Sequence, residues 1–250
     1  MTSLPRLVAF DLDDTLAPSK SALDPRMAEL FVALLERTSV CIISGGQIVQ
    51  FQNQVLDRLG AASPEALGRL HLMPTCGTRY DRFDGTAWVT VYKHDLTDDQ
   101  KARAMGALEA EAKRLGLWAD ETWGPILEDR GSQITFSALG QAAPVAEKTA
   151  WDPDGAKKES LRAAVQALLP DLEVRSGGST SVDITMAGVD KAFGMTRLAE
   201  HTGIPLEEMV FVGDRLDAGG NDYPVLALGV PSVAVHGWQD TAAYLESLGL

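Results

Sequence analysis

Long apolar runs are missing from this sequence. No stretch approaches the roughly 18 residues that a bilayer-spanning helix requires, so no membrane role is expected. The N-terminal stretch MTSLPRLVAF lacks a separate charged region and a small-residue cleavage site. It reads as leading into a buried strand rather than as a signal peptide, and a cytoplasmic protein is expected. Cysteine is scarce. With only Cys41 and Cys76 present, two free thiols in a reducing compartment are expected rather than a disulfide framework. The four histidines, His71, His94, His201 and His236, fall at no spacing that suits a zinc site. Positive charge is also in deficit, 22 Lys and Arg against 35 Asp and Glu for a net charge of −13. That excess of acid argues against nucleic acid or an anionic membrane surface as partner. A small anion such as a phosphate ester stays compatible, provided a metal or local cations reverse the field where it binds.

What is present is core material. Apolar residues make up 45% of the 250 positions, enough for one or two compact domains. Leu7–Phe10 is a short apolar run that stops at Asp-Leu-Asp-Asp, and Val40–Ile43 is a second that stops at Ser44-Gly45-Gly46. Runs this short, bounded by polar residues, read as buried parallel strands. Helical spacing follows each, over Asp24–Arg37 with Asp24-Pro25 as its start and over Ile48–Leu59, and His71–Pro74 is a weaker third strand. Strand alternating with helix is the pattern of a doubly wound parallel sheet. The rhythm then changes. Tyr80–Tyr92 reads as a hairpin around Asp84-Gly85, Thr97–Leu115 and Asp154–Leu169 as helices, and Ile126–Ser137 and Leu172–Met186 as period-two antiparallel segments. The wound pattern resumes at Asp190, with a strand at Met209–Val212, a short one at Pro231–Val235 and a C-terminal helix. The expected fold is therefore α/β, a doubly wound Rossmann-like core from residues 1–93 and 188–250 with a smaller α+β domain, 94–187, inserted into it.

Ligands of open α/β sheets bind beyond the carboxyl ends of the strands. Those ends carry Asp11-Leu12-Asp13-Asp14-Thr15, Ser44-Gly45-Gly46 and Gly213-Asp214, so Asp11, Asp13, Ser44 and Asp214 are expected to converge. An Asp-rich strand end taken alone is also what a solvated turn or helix cap looks like; three such ends on one sheet edge are not. Carboxylates gathered at one point need a cation, and oxygen ligands suit Mg²⁺.

The combined pattern resembles the haloacid dehalogenase-like superfamily. Its first motif, Asp-x-Asp-x-Thr, is present at Asp11–Thr15; its second is Ser44; its third, a lysine opening a helix, is Lys191; its fourth is Gly213-Asp214 followed by Asn221-Asp222. The resemblance covers the whole chain and implies an Mg²⁺-dependent phosphohydrolase. Asp11 is then the nucleophile and Asp13 the acid and base. Ser44, Gly45 and Lys191 hold the phosphoryl group, and Asp11, the Asp13 carbonyl and Asp214 hold the metal. Asn221 and Asp222 orient Lys191 or metal-bound water.

The insert between the second and third motifs is similar to that of the sugar-phosphatase subgroup. Ser176–Asp183 with Gly188–Lys191, and Asp217–Tyr223, resemble the eukaryotic-type phosphomannomutases in particular. That resemblance implies a phosphorylated sugar as partner, met by Lys20, Arg130, Ser179, Ser181 and Asp183, the last three alternating on one strand face, with the insert closing as a cap. The departures are specific. Among the cap arginines that grip a distal phosphate in that family, Arg130 is matched, Gln141 replaces another, and Glu121 and Trp123 stand before Ile126; Arg175 is a possible substitute. Lys20 stands near a core arginine of the family, and Asp14 replaces a glycine. A weak distal grip favours water over the returning sugar. A sugar-phosphate phosphatase is therefore expected, with a phosphomannomutase as the alternative and a non-catalytic sugar-phosphate binder as a third reading that the intact Asp11, Asp13, Lys191 and Asp214 oppose. The oligomeric state is not legible.

Overall fold

The structure, a computed structural model, describes residues 4–250; Met1–Ser3 of the N-terminal stretch lie outside the described residues. Two compact units are present, Met1–Lys93 with Asp190–Leu250, and His94–Val189.

The discontinuous unit begins with β1 (Leu7–Phe10), α1 (Pro25–Leu35), β2 (Ser39–Ile43), α2 (Ile48–Gln54), α3 (Pro64–Leu67), β3 (Leu70–Met73), β4 (Arg79–Phe83) and β5 (Trp88–Lys93). The inserted unit supplies α4 (Asp98–Arg114), β6 (Leu127–Asp129), β7 (Gln133–Ser137), α5 (Val145–Trp151), α6 (Ala156–Leu168), β8 (Leu172–Ser176) and β9 (Ser181–Met186). The chain then returns through α7 (Lys191–Thr202), β10 (Met209–Gly213), α8 (Tyr223–Ala227), β11 (Ser232–Ala234) and α9 (Trp238–Ser247).

Seven strands form the first sheet in the order β11-β10-β1-β2-β3-β4-β5. The five from β11 to β3 are parallel, and β4 and β5 add an antiparallel hairpin at one edge. Side chains alternate across it. Val8, Phe10, Val40 and Ile42 join Met27, Phe31 and Leu34 of α1 and Leu245 of α9 on one face. Leu7, Ala9, Cys41 and Ile43 join Met195 and Leu198 of α7 and Val225 of α8 on the other. Burial on both faces is why the strands read as unbroken apolar runs. In the hairpin turn Asp84 Oδ1 accepts from the amides of Thr86 and Ala87 at 2.8 and 2.9 Å, and Gly85 takes φ +104°.

The inserted unit has an antiparallel sheet, β6-β7-β9-β8. Its apolar face (Ile134, Phe136, Val182, Ile184) packs on Leu108 of α4 and Leu161 and Val165 of α6. Thr97 and Gln100 form a full capping box at the start of α4. Among the described residues, no helix is long and apolar enough to cross a membrane.

Three local readings need correction. The helix expected over Ile48–Leu59 stops at Gln54 and gives way to a single 3₁₀ turn, Leu56–Arg58. Its last carbonyl, that of Gln54, accepts the amide of Leu23 at 2.8 Å, a tertiary bond that helical spacing does not reveal. Three short helices, α3, α5 and α8, have no counterpart in the sequence reading. Ser179 does not stand on the strand face with Ser181 and Asp183. The Gly177 amide bonds the Ser181 carbonyl at 2.8 Å, so the hairpin closes there, β9 begins at Ser181, and Ser179 is exposed in the turn.

Candidate active site

Parallel pairing of β1 with β10 and β2 brings their carboxyl ends to one edge. Asp11 follows β1, its amide bonded to the Val212 carbonyl at 3.0 Å. Ser44 follows β2, and Asp214 follows β10. The remaining groups arrive from α7 and from the loop ahead of α8. Asp190 caps α7 by accepting from the Phe193 amide at 3.0 Å, so Lys191 opens the helix, and its ammonium is wholly buried. Lys191 Nζ lies 2.6 Å from Asp11 Oδ1 and 2.5 Å from Asp222 Oδ1. The second oxygen of Asp222 accepts the Arg215 amide at 3.0 Å, which locks the carboxylate toward the lysine. Gly213 is required for this approach, because a Cβ there would stand 2.4 Å from Asp222 Oδ2.

Asp11, Asp214 and Asp222 hold carboxylate oxygens within 4.8 Å of one another. Burial pushes the Asp11 carboxyl up to about 7, against the pull of Lys191 and with Asp222 adding to the rise. Burial, then the charge of Asp222, raises Asp214 as well. Burial disfavours the Lys191 ammonium; Asp11 and Asp222 more than offset it and hold the ammonium above its ordinary range. Three carboxylates of which two are buried, meeting one buried lysine, make an oxygen donor set that fits a hard divalent cation. Thr15 Oγ1 donates to Asp214 Oδ1 at 3.3 Å, while the Thr15 carbonyl accepts from Thr241 Oγ1 at 2.7 Å.

The Asp13 side chain has hydrogen-bond partners of its own, separate from the three clustered carboxylates. Its Oδ1 accepts from the Lys20 amide at 2.8 Å and from Gln54 Nε2 at 3.3 Å, and its Oδ2 from Gln50 Nε2 at 2.8 Å. Asp14 takes φ +58°, which explains the glycine usual at that place in the motif; aspartate is among the few other residues that tolerate it. Ser44 is buried and its Oγ accepts from the Gly46 amide at 3.2 Å. A Cβ on Gly45 would meet nothing within 4 Å. Asn221 and Lys20 are exposed.

The inserted unit has a polar cluster of its own. Thr135 Oγ1 donates to Asp183 Oδ1 at 2.7 Å, and burial raises the Asp183 carboxyl. Arg130 Nη2 pairs with Glu128 Oε2 at 2.7 Å, Arg175 Nε with Glu173 Oε1 at 3.3 Å, and Gln141 Nε2 bonds Ser137 Oγ at 2.5 Å. Gln50 and Gln54 carry no role in the sequence reading, and Thr15 enters it only as the last residue of the first motif. The pair of glutamines one helical turn apart, directly after the Ser44 loop, was the available signal.

Comparison with known proteins agrees with the motifs. Residues 141–242 match the haloacid dehalogenase-like hydrolase family, a segment that holds Lys191, Asp214, Asn221 and Asp222. Phosphomannomutases of Schizosaccharomyces pombe and Saccharomyces cerevisiae are 25% and 26% identical over 232 and 230 residues, covering 88% of this chain and 84% of each relative. A solved structure of Plasmodium falciparum IMP-nucleotidase aligns with a TM-score of 0.74 at 17% identity, over 98% of this chain and 68% of the longer nucleotidase; at that identity it speaks for the fold alone. The resemblance to the haloacid dehalogenase-like hydrolases and the phosphomannomutases, and the two-sheet α/β fold, are shown.

Proposed function

We propose that this chain, similar to the haloacid dehalogenase-like hydrolases and phosphomannomutases, is an Mg²⁺-dependent phosphatase of sugar phosphates that works through an aspartyl-phosphate on Asp11. The observation that carries the reading is the fully buried Lys191 pinned between Asp11 and Asp222, with Asp214 beside them at the strand ends.

Asp11 and Asp214 would hold the cation with help from the Asp13 backbone carbonyl, and Mg²⁺ when bound supplies charge neutralisation at the phosphoryl oxygens. A free carboxylate oxygen of Asp11 attacks phosphorus. The bond to the ester oxygen breaks, and that oxygen takes its proton from Asp13. Asp13 then removes a proton from the water that splits the aspartyl-phosphate, which restores Asp11 and releases inorganic phosphate. Ser44 Oγ, beside Gly45, donates to a phosphoryl oxygen. An ammonium has three donors, and Asp11 and Asp222 take two from Lys191, leaving the third for the phosphoryl group. Asp222 holds the lysine in place, and Asn221 and Asp222 would help orient water at the cation when it is bound. Arg130, Ser181, Asp183 and the exposed Ser179 and Lys20 are the groups proposed to meet the sugar.

Hydrolysis is preferred to mutase chemistry because Arg130 and Arg175 are each already paired with a carboxylate. A bisphosphorylated intermediate needs cationic partners for both phosphates throughout. The mutase reading draws on the named activity of the relatives. A phosphorus NMR time course of mannose 6-phosphate with Mg²⁺ and no bisphosphate activator decides between them. Free phosphate is expected to dominate, Asp11→Asn to abolish it, and excess chelator to stop it. Faster growth of a 1-phosphate signal means the mutase reading is right, and turnover by Asp11→Asn removes the mechanism altogether.

A further inference from the structure

Gln50 has no role in the reaction as proposed, yet its amide meets the carboxylate on which leaving-group departure depends. We infer that Gln50 is a positioning residue that sets the Asp13 side chain for proton transfer, and that Gly46 is glycine to give the Gln50 amide its place. The inference rests on the assignment of Asp13 as acid and base.

Asp13 is gripped at both oxygens, by Gln50 on Oδ2 at 2.8 Å and by the Lys20 amide on Oδ1 at 2.8 Å. Gln54, one turn further along α2, adds a longer bond at 3.3 Å and is itself tied to the Ser21 carbonyl at 2.7 Å. Each carboxylate oxygen has two acceptor sites, so a bond from Gln50 leaves room on Oδ2 for the transferred proton. Bonds at both oxygens, one from a backbone amide and one from a helix side chain, restrict the rotamer freedom that a short loop side chain otherwise keeps.

The Gln50 amide in turn lies against Gly46. A Cβ built on Gly46 would stand 2.1 Å from Gln50 Oε1 and 2.7 Å from its Cδ. Gly46 cannot retreat easily, because its amide bonds Ser44 Oγ at 3.2 Å and its carbonyl accepts the Thr75 amide at 3.0 Å. One loop therefore carries Ser44 for the phosphoryl group and the gap that aims Gln50 at Asp13. A methyl added at Gly46 meets only the end of a flexible side chain, so the helix is kept and the amide is displaced.

The reaction step affected is specific. When the bond from phosphorus to the ester oxygen breaks, the electron pair stays on that oxygen. A sugar alkoxide needs the Asp13 proton at that moment, whereas 4-nitrophenolate leaves without it. The test compares kcat/KM, which reports steps through leaving-group loss, for a hexose 6-phosphate and for 4-nitrophenyl phosphate with Mg²⁺. Gln50→Met and, separately, Gly46→Ala should each lower the ratio of sugar ester to aryl ester by roughly tenfold. Gln50→Met in an Asp13→Ala background should lower it no further, because the two act as one unit. Equal loss on both esters, no loss on either, or an additive effect in the double variant overturns the inference while leaving the proposed reaction standing. Asp13→Ala without any leaving-group dependence removes the assigned role of Asp13, and the inference falls with it.

Discussion

At the scale of single residues, Asp11 carries a charge that the apo protein resists. Its folded-state carboxyl titrates near 7 against an ordinary value of 3.8, chiefly because it is buried. A raised pKa means that the native state binds the proton more tightly than the unfolded chain. The contribution to stability is intact below about pH 4 and is lost as the pH rises through about 7. Metal-free protein should therefore lose stability across that window relative to Asp11→Asn, whose amide does not ionise. Excess Mg²⁺ should shrink the difference, since the cation favours the ionised carboxylate. Urea midpoints for the two proteins over a pH series, with chelator and with Mg²⁺, give the comparison; parallel curves in chelator count against the burial argument. Residues of this kind were legible in the sequence because their types are confined to strand ends, where Asp11, Ser44 and Asp214 interrupt apolar runs. Gln50 was not, since a glutamine on an amphipathic helix resembles any solvated face. Nor was the division of labour among the carboxylates: Asp222 has both oxygens committed, to Lys191 and to the Arg215 amide, and spacing alone cannot say so.

At the scale of elements, the reach of Lys191 into the cluster depends on how closely α7 approaches its neighbours. A Cβ on Gly194 would lie 2.3 Å from Ile43 Cδ1 and 2.8 Å from the Cys76 carbonyl oxygen, and one on Gly77 would lie 2.5 Å from the Gly194 Cα. Helix backbone thus touches the backbone of the Thr75–Gly77 turn, where Thr75, Cys76 and Gly77 all take positive φ. Gly194→Ala must move α7, and with it the lysine in its first turn. A loss of about 1–3 kcal/mol is expected from overpacking, together with a clear fall in turnover. Gly203→Ala at the other end of the same helix is the control. Its φ of +67° makes alanine cost about 1 kcal/mol, but open space surrounds the new methyl and turnover should hold. Urea denaturation and initial rates on both variants separate the two effects, and equal turnover in Gly194→Ala is the adverse result. Local signals predicted α1 from Asp24-Pro25, α4 from Thr97 as cap with an acidic first turn, and α7 from Asp190. Breaks imposed from a distance, such as the Leu23 amide on the Gln54 carbonyl, left no trace in local pattern.

At the scale of the molecule, the interruption of a wound α/β pattern by period-two segments was readable because the two sheets differ in residue pattern, not in burial: the polar residues of β7 are as buried as its apolar ones. The strands at the centre of the parallel sheet are apolar on both faces. In the inserted sheet Ile134, Phe136, Val182 and Ile184 alternate with Thr135, Ser181, Asp183 and Thr185. The inserted unit's buried cluster runs from Leu96 to Ile184 and shares no residue with the two clusters that flank the larger sheet. A unit with a closed core of its own can open without the other. Leu161, fully buried between α6 and the inserted sheet, is the place to test this. Leu161→Ala should cost about 2–5 kcal/mol through lost burial and the cavity left behind. Hydrogen exchange followed by mass spectrometry in rising urea should show peptides from residues 94–189 losing protection at lower denaturant than in the wild type. Peptides from β1, β2 and β10 should keep their midpoint. With the core carboxylates and Lys191 undisturbed, hydrolysis of 4-nitrophenyl phosphate should persist at urea concentrations where the insert of the variant has already opened. A single transition in which both sets of peptides shift together would mean that the two cores are energetically one, whatever their separate residue lists.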